Sequence, residues 1–189
     1  AALAASGTAP SELPAVHLGS EHFFDDVVFG RLVRGEAVPY PRLEDAPPAR
    51  PGRQRPVLIE FGPFAFPVRL QHRLYDLARA RLQVVLAHPE RYEPVWRDDS
   101  CLDPVLDVGA HLLLDVCSLV GKYGRAPQRA AEKLLEEEAY EAACSDSHRP
   151  ADADETAKAL AVLEKRVGTA ETERLFRDAP REILGLPAL

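Results

Sequence analysis

The stretch Leu82–Tyr92, LQVVLAHPERY, decides the fold. A largely apolar run of strand type ends abruptly at His88-Pro89-Glu90-Arg91. A buried strand that delivers an imidazole, a rigid turn, a carboxylate and a guanidinium to its C-terminal tip is how α/β enzymes build sites. The plainer reading is that His88 satisfies a buried carbonyl, Pro89 stops the strand, and Glu90 and Arg91 pair on the surface. The flanking segments bear on the choice.

Upstream, Leu70, Leu74, Leu77 and Ala78 recur at helical spacing and predict an amphipathic helix over 68–81. Before it, Val57-Leu58-Ile59 reads as a short buried strand ending at Glu60, followed by an aromatic, proline-stiffened loop, Phe61–Pro67. Residues 35–55 hold five prolines and read as a surface loop. Residues 22–34 predict a helix with Asp25 and Asp26 at its start, where negative charge is favoured. Ala15–Leu18 reads as a short strand closed by Gly19, with Glu21 just past it.

Downstream, Asp98, Asp99 or Ser100 can cap a helix that stops at Gly109, and His111–Val116 is the next strand. Ser118–Arg125 is a glycine-containing loop. A helix entered through Pro127 carries Ala130, Ala131, Leu134 and Leu135 as its stripe. Tyr140–Cys144 is a strand with Ser145-Asp146-Ser147-His148 at its end, and two helices follow, one closing at Gly168 and one near Leu175-Phe176. This alternation predicts parallel strands in an α/β barrel or doubly wound sheet, folded as one domain over 1–189.

Composition narrows the function. The 189 residues are 46% hydrophobic and 28% charged, ordinary for a globular domain. A net charge of −7 without a basic stripe argues against nucleic acid as a partner. The apolar runs are too short for a membrane span, and AALAASGTAP lacks the order of a signal peptide, so a soluble cytoplasmic protein is expected. Cys101, Cys117 and Cys144 form no C-x-x-C, which argues against a disulfide framework or a thiolate zinc site. No Cys-x5-Arg, phosphate-loop, dinucleotide or G-x-S-x-G motif occurs, which removes those chemistries.

What remains is a set of polar residues at successive strand ends. Glu21, Glu60, His88, Asp146 and His148 supply carboxylate and imidazole donors, a mixture suited to Mn²⁺, Fe²⁺ or Zn²⁺ and to centres with bridging carboxylates. Taken singly, Glu21 reads equally as a helix-start acid, Glu60 as an arginine's partner and Asp146 as an N-cap. In a parallel sheet all five would converge on one face.

The segments LGSE (18–21), LIEF (58–61), AHPERY (87–92), SLVGKYG (118–124), SDSH (145–148) and APREIL (179–184) resemble the PHP-type (polymerase and histidinol phosphatase) tyrosine-protein phosphatases of bacterial capsule and exopolysaccharide loci. The resemblance runs along nearly the whole chain in order. It implies a distorted (β/α)7 barrel, a centre of divalent metal ions, manganese first, and hydrolysis of phosphotyrosine on a bacterial tyrosine kinase. It also implies Glu21, Glu60, His88, Asp146 and His148 as metal ligands and Arg91 as the residue that holds the phosphate. Members of that family open with an H-x-H motif and a further histidine, positions that His17 and His22 do not match. The expected barrel is therefore incomplete, without its first two βα units. The alternatives to weigh are another PHP phosphomonoesterase, such as one acting on histidinol phosphate, and a non-catalytic regulator that binds the kinase.

Overall fold

The structure, a computed structural model, describes residues 19–36 and 54–186. Five parallel strands form one sheet in the order β1 (Glu21–Phe23), β2 (Arg55–Glu60), β3 (Leu82–Ala87), β4 (His111–Asp115), β5 (Ala142–Cys144). Because all five run the same way, their C-terminal tips share one rim, as the alternation predicts. β3 is central and buried along almost its whole length, which is why LQVVLA carries no polar alternation.

The helices are α1 (Asp26–Val33), α2 (Leu70–Arg79), α3 (Glu93–Arg97), α4 (Asp103–Leu106), α5 (Arg125–Glu136), α6 (Ala153–Glu173) and α7 (Ala179–Leu184). α2 turns Leu70, Leu74 and Leu77 inward, and α5 buries Ala130, Ala131, Leu134 and Leu135, so both stripes fall where the 3.6-residue period puts them. Asp25 caps α1 by accepting the Val28 amide at 2.7 Å. α6 is broken at Gly168 (φ 84°, ψ 166°), the residue expected to close it, and the chain resumes helical geometry beyond. α7 touches both β2 and β5. Its Glu182 and Ile183 line, with Gln54, Gln83, His111 and Glu141, a cavity of about 220 Å³ against the N-terminal ends of the strands.

Several boundaries differ from those expected. The strand predicted at Ala15–Leu18 and most of the proline-rich loop lie outside the described residues. Glu21, expected just past a strand, is instead the first residue of β1, because Glu21–Phe23 pairs with Leu58–Glu60. The helix predicted from residue 22 therefore starts only at Asp26. The helix expected up to Gly109 divides into a 3₁₀ turn (Asp99–Leu102) and α4, with Pro104 in the first turn of α4. α3 has no counterpart among the elements expected from the sequence, and its Pro94 sits in the first turn. The loop after β4 begins as a 3₁₀ turn, Val116–Val120. Among the described residues no helix is long and apolar enough to cross a membrane.

Candidate metal centre

β3 ends at Ala87, and His88 turns the chain through a left-handed conformation (φ 33°) into a 3₁₀ turn, Pro89–Arg91. That conformation is uncommon for a residue with a β-carbon and marks local strain. It is held by the His88 amide, which donates to the Leu113 carbonyl at 2.8 Å, and by Tyr92. The fully enclosed Tyr92 hydroxyl accepts the Phe61 amide at 3.1 Å and donates to the Ala87 carbonyl at 2.8 Å, tying the tips of β2 and β3.

This turn puts His88 Nε2 3.3 Å from Glu21 Oε1 and 3.7 Å from Glu60 Oε1. One donor atom from each residue lies within 4.8 Å of the others, a group that could hold a metal ion. The imidazole is 4% exposed while each carboxylate is about one third exposed, so the group opens to solvent on the carboxylate side. Burial alone would lower the His88 pKa, but contact with Glu21 and the charges of Glu90 and Glu60 outweigh it and the Arg91 charge, giving a net rise. Two carboxylates converging on one imidazole create demand for a cation, and a divalent ion meets that demand with a neutral ring. The donor set therefore fits a metal. His88 Nδ1 is buried with no hydrogen-bond partner among the described residues, a group that commonly fixes the ring of a metal-bound histidine when it is satisfied.

A second cluster surrounds Arg91. Its Nη1 lies 2.7 Å from Asp146 Oδ2 and 3.8 Å from Asp115 Oδ2, and Cζ lies 4.4 Å from the centre of the Tyr123 ring. Burial works against the Arg91 charge, but Tyr123, Asp146 and Asp115 outweigh it and keep the guanidinium protonated. Asp146, like His88, has a left-handed backbone (φ 42°). It pairs with Arg91 and is not part of the Glu21–Glu60–His88 group. His148 also stands apart: its side chain is 75% exposed and Nδ1 meets the Asp146 carbonyl at 2.9 Å. Of the five donors singled out in the sequence, the structure gathers three, pairs Asp146 with the Arg91 guanidinium and leaves His148 exposed against the Asp146 carbonyl. The N-cap reading of Asp146 fails, because the His148 and Arg149 amides donate to Asp152 instead.

The residue that sequence reasoning missed is Glu90. The plainer reading had it on the surface with Arg91, yet it is wholly buried. Oε1 accepts the Asp115 amide and the Ser118 hydroxyl, each at 3.0 Å, and Oε2 accepts the Tyr140 hydroxyl at 2.9 Å. Trp96 Nε1 donates to the Glu90 carbonyl at 2.7 Å. Burial pushes its pKa up to about 7 in spite of these donors. Glu90 thus locks the turn bearing His88 and Arg91 onto β4 and the approach to β5. No local pattern marks this role, because its partners lie 25 to 50 residues away.

A parallel sheet that gathers two carboxylates and an imidazole at one rim, with an arginine on the same turn, defines an α/β protein with a candidate divalent-metal centre. Residues 15–185 match the family described as capsular polysaccharide synthesis, CpsB/CapC, and the chain belongs to that family. The resemblance read from AHPERY and SDSH holds at this level. A curated relative, tyrosine-protein phosphatase YwqE of Bacillus subtilis (strain 168), is 33% identical over 115 residues, which cover 60% of this chain and 45% of YwqE. The fold also matches, with a TM-score of 0.71 and 24% identity, a chain from the crystal structures of YwqE from Bacillus subtilis and CpsB from Streptococcus pneumoniae, described as unique metal-dependent tyrosine phosphatases. That match covers 90% of this chain and 65% of the other. The chain thus spans about half to two thirds of the length of the relatives it matches.

Proposed function

We propose that this protein is a metal-dependent protein-tyrosine phosphatase that removes phosphate from a phosphotyrosine-bearing bacterial tyrosine kinase controlling capsule or exopolysaccharide synthesis. The observation that carries the reading is the Glu21–Glu60–His88 group on the same rim as Arg91. Membership of the capsule family and the likeness to phosphatases support it. In this reading residues 1–189 contribute a single PHP-type domain, whose described strands belong to a distorted (β/α)7 barrel, and it works in the cytoplasm.

Glu21, Glu60 and His88 would hold the first ion, with Asp146 and His148 as further ligands, and manganese leads iron and zinc for this oxygen-rich set. A divalent ion bound there supplies Lewis-acid charge at the phosphoryl oxygens and makes water more acidic. The residues of the chain do the rest. Arg91 presents a planar pair of N–H donors to the phosphoryl group and neutralises charge that grows as the ester bond breaks. The Glu90 hub keeps Arg91 and His88 at a fixed separation, so orientation is set before substrate arrives.

Purified protein loaded with Mn²⁺ should turn over a phosphotyrosyl peptide, and faster than histidinol phosphate. A preference for histidinol phosphate would assign a different phosphomonoesterase. Less than one metal per chain together with no turnover would favour a non-catalytic kinase-binding role.

A further inference from the structure

Asp115 is fully buried at the tip of β4, where both Arg91 and Tyr123 reach its carboxylate. Oδ1 accepts the Cys117 amide at 2.9 Å and caps the 3₁₀ turn Val116–Val120. An asparagine would cap as well, so capping does not explain a buried negative charge. Oδ2 makes no close hydrogen bond among the described residues, and although the Tyr123 hydroxyl lies near enough to favour the charged carboxylate, a buried anion so placed is costly unless a cation offsets it. The cation that faces it is Arg91, at 3.8 Å.

Tyr123 closes another side. Its ring centre lies 4.4 Å from Arg91 Cζ, within cation–π range. Gly121 (φ 78°) and Gly124 (φ 101°) bracket it with backbone that favours glycine, which lets this short loop turn back over the strand ends. Asp146 forms the closest contact with the guanidinium, but its carboxylate is half engaged elsewhere if it also serves an ion. Asp115, with no exposed surface, stays with Arg91 whatever Asp146 does.

We propose that Asp115 and Tyr123 are positioning residues for Arg91, fixing its guanidinium by a buried countercharge on one side and an aromatic face on the other. The inference rests on the phosphatase reading for its functional consequence but not for its geometry. Neither residue touches substrate; both act through Arg91.

Two measurements test it. In ¹⁵N NMR of the intact chain, the Arg91 guanidinium should give resolved signals in slow exchange, and these should broaden or collapse in Asp115→Asn and in Tyr123→Leu. Tyr123 is only partly buried, so its variant carries the test even if Asp115→Asn folds poorly. Signals unchanged in both variants would overturn the proposal. In Mn²⁺-loaded protein, Asp115→Asn should lower kcat/KM for a phosphotyrosyl peptide about 10- to 100-fold, the scale of losing a fixed orientation. In an Arg91→Ala background the same substitution should have no further effect, whereas independent, additive losses would refute action through Arg91. If the unsubstituted protein shows no turnover, the phosphatase reading fails and the NMR comparison still decides the positioning role.

Discussion

Truncating Glu90 should be among the most damaging single changes in the molecule. Glu90→Ala removes the acceptor for three enclosed donors: the Asp115 amide, the Ser118 hydroxyl and the Tyr140 hydroxyl. A buried donor left unsatisfied costs about 1–3 kcal/mol. The Asp115 amide cannot re-aim and bears the full cost, while the two hydroxyls can rotate and fall at the lower end. The sum is about 3–5 kcal/mol. Glu90→Gln keeps an oxygen for the Asp115 and Ser118 donors, and its amide can donate to a rotated Tyr140 hydroxyl, so the loss there should be about 1 kcal/mol. For a domain of this size each kcal/mol moves the midpoint of thermal unfolding by about 2–4 °C. Glu90→Ala should therefore melt about 6–20 °C below the parent and Glu90→Gln within a few degrees of it, followed by circular dichroism without added metal. Midpoints for the two variants that agree within 2 °C would show that the carboxylate does not serve those donors, and the hub described above would be wrong.

His88→Ala should reduce retention of divalent metal at least about tenfold, measured by elemental analysis after gel filtration, because it removes the buried donor between Glu21 and Glu60. Arg91→Ala should leave metal content unchanged and abolish most phosphotyrosyl-peptide turnover; loss of metal from this variant would contradict the role assigned to Arg91. Tyr92→Phe should cost about 1–3 kcal/mol in urea unfolding, since it strands the Phe61 amide and the Ala87 carbonyl in an enclosed site.

The central sheet was legible in the sequence wherever a strand is buried on both faces. LQVVLA and HLLLD stand out because burial in a parallel sheet demands continuous apolar character, and helices with a regular stripe lie between them. β1 escaped because Glu-His-Phe has no such character: it is a short edge strand, defined by pairing with β2 rather than by its own composition. Candidate donors were legible as polar residues at strand tips, since topology brings tips together. Their division into two clusters was not, because it depends on Arg91 drawing Asp115 and Asp146 together from separate strand ends.

The spacing within His88-Pro89-Glu90-Arg91 acquires a physical meaning once the turn is known to be 3₁₀. With three residues per turn, positions three apart eclipse one another. The Arg91 amide donates to the His88 carbonyl at 2.9 Å, so the two residues stand at opposite ends of a single turn. Both serve the rim, one among carboxylates that call for an ion and the other beside Asp115 and Asp146. Glu90, one step out of phase, has to point elsewhere, and the direction open to it is the core. A carboxylate survives there because Asp115, Ser118 and Tyr140 bring donors to it. Pro89 has no amide hydrogen to satisfy at the first position and fixes φ where the turn must start. Inserting one residue between Pro89 and Glu90 would rotate the guanidinium away from Asp115 and expose the hub, so the four-residue unit works only at this length.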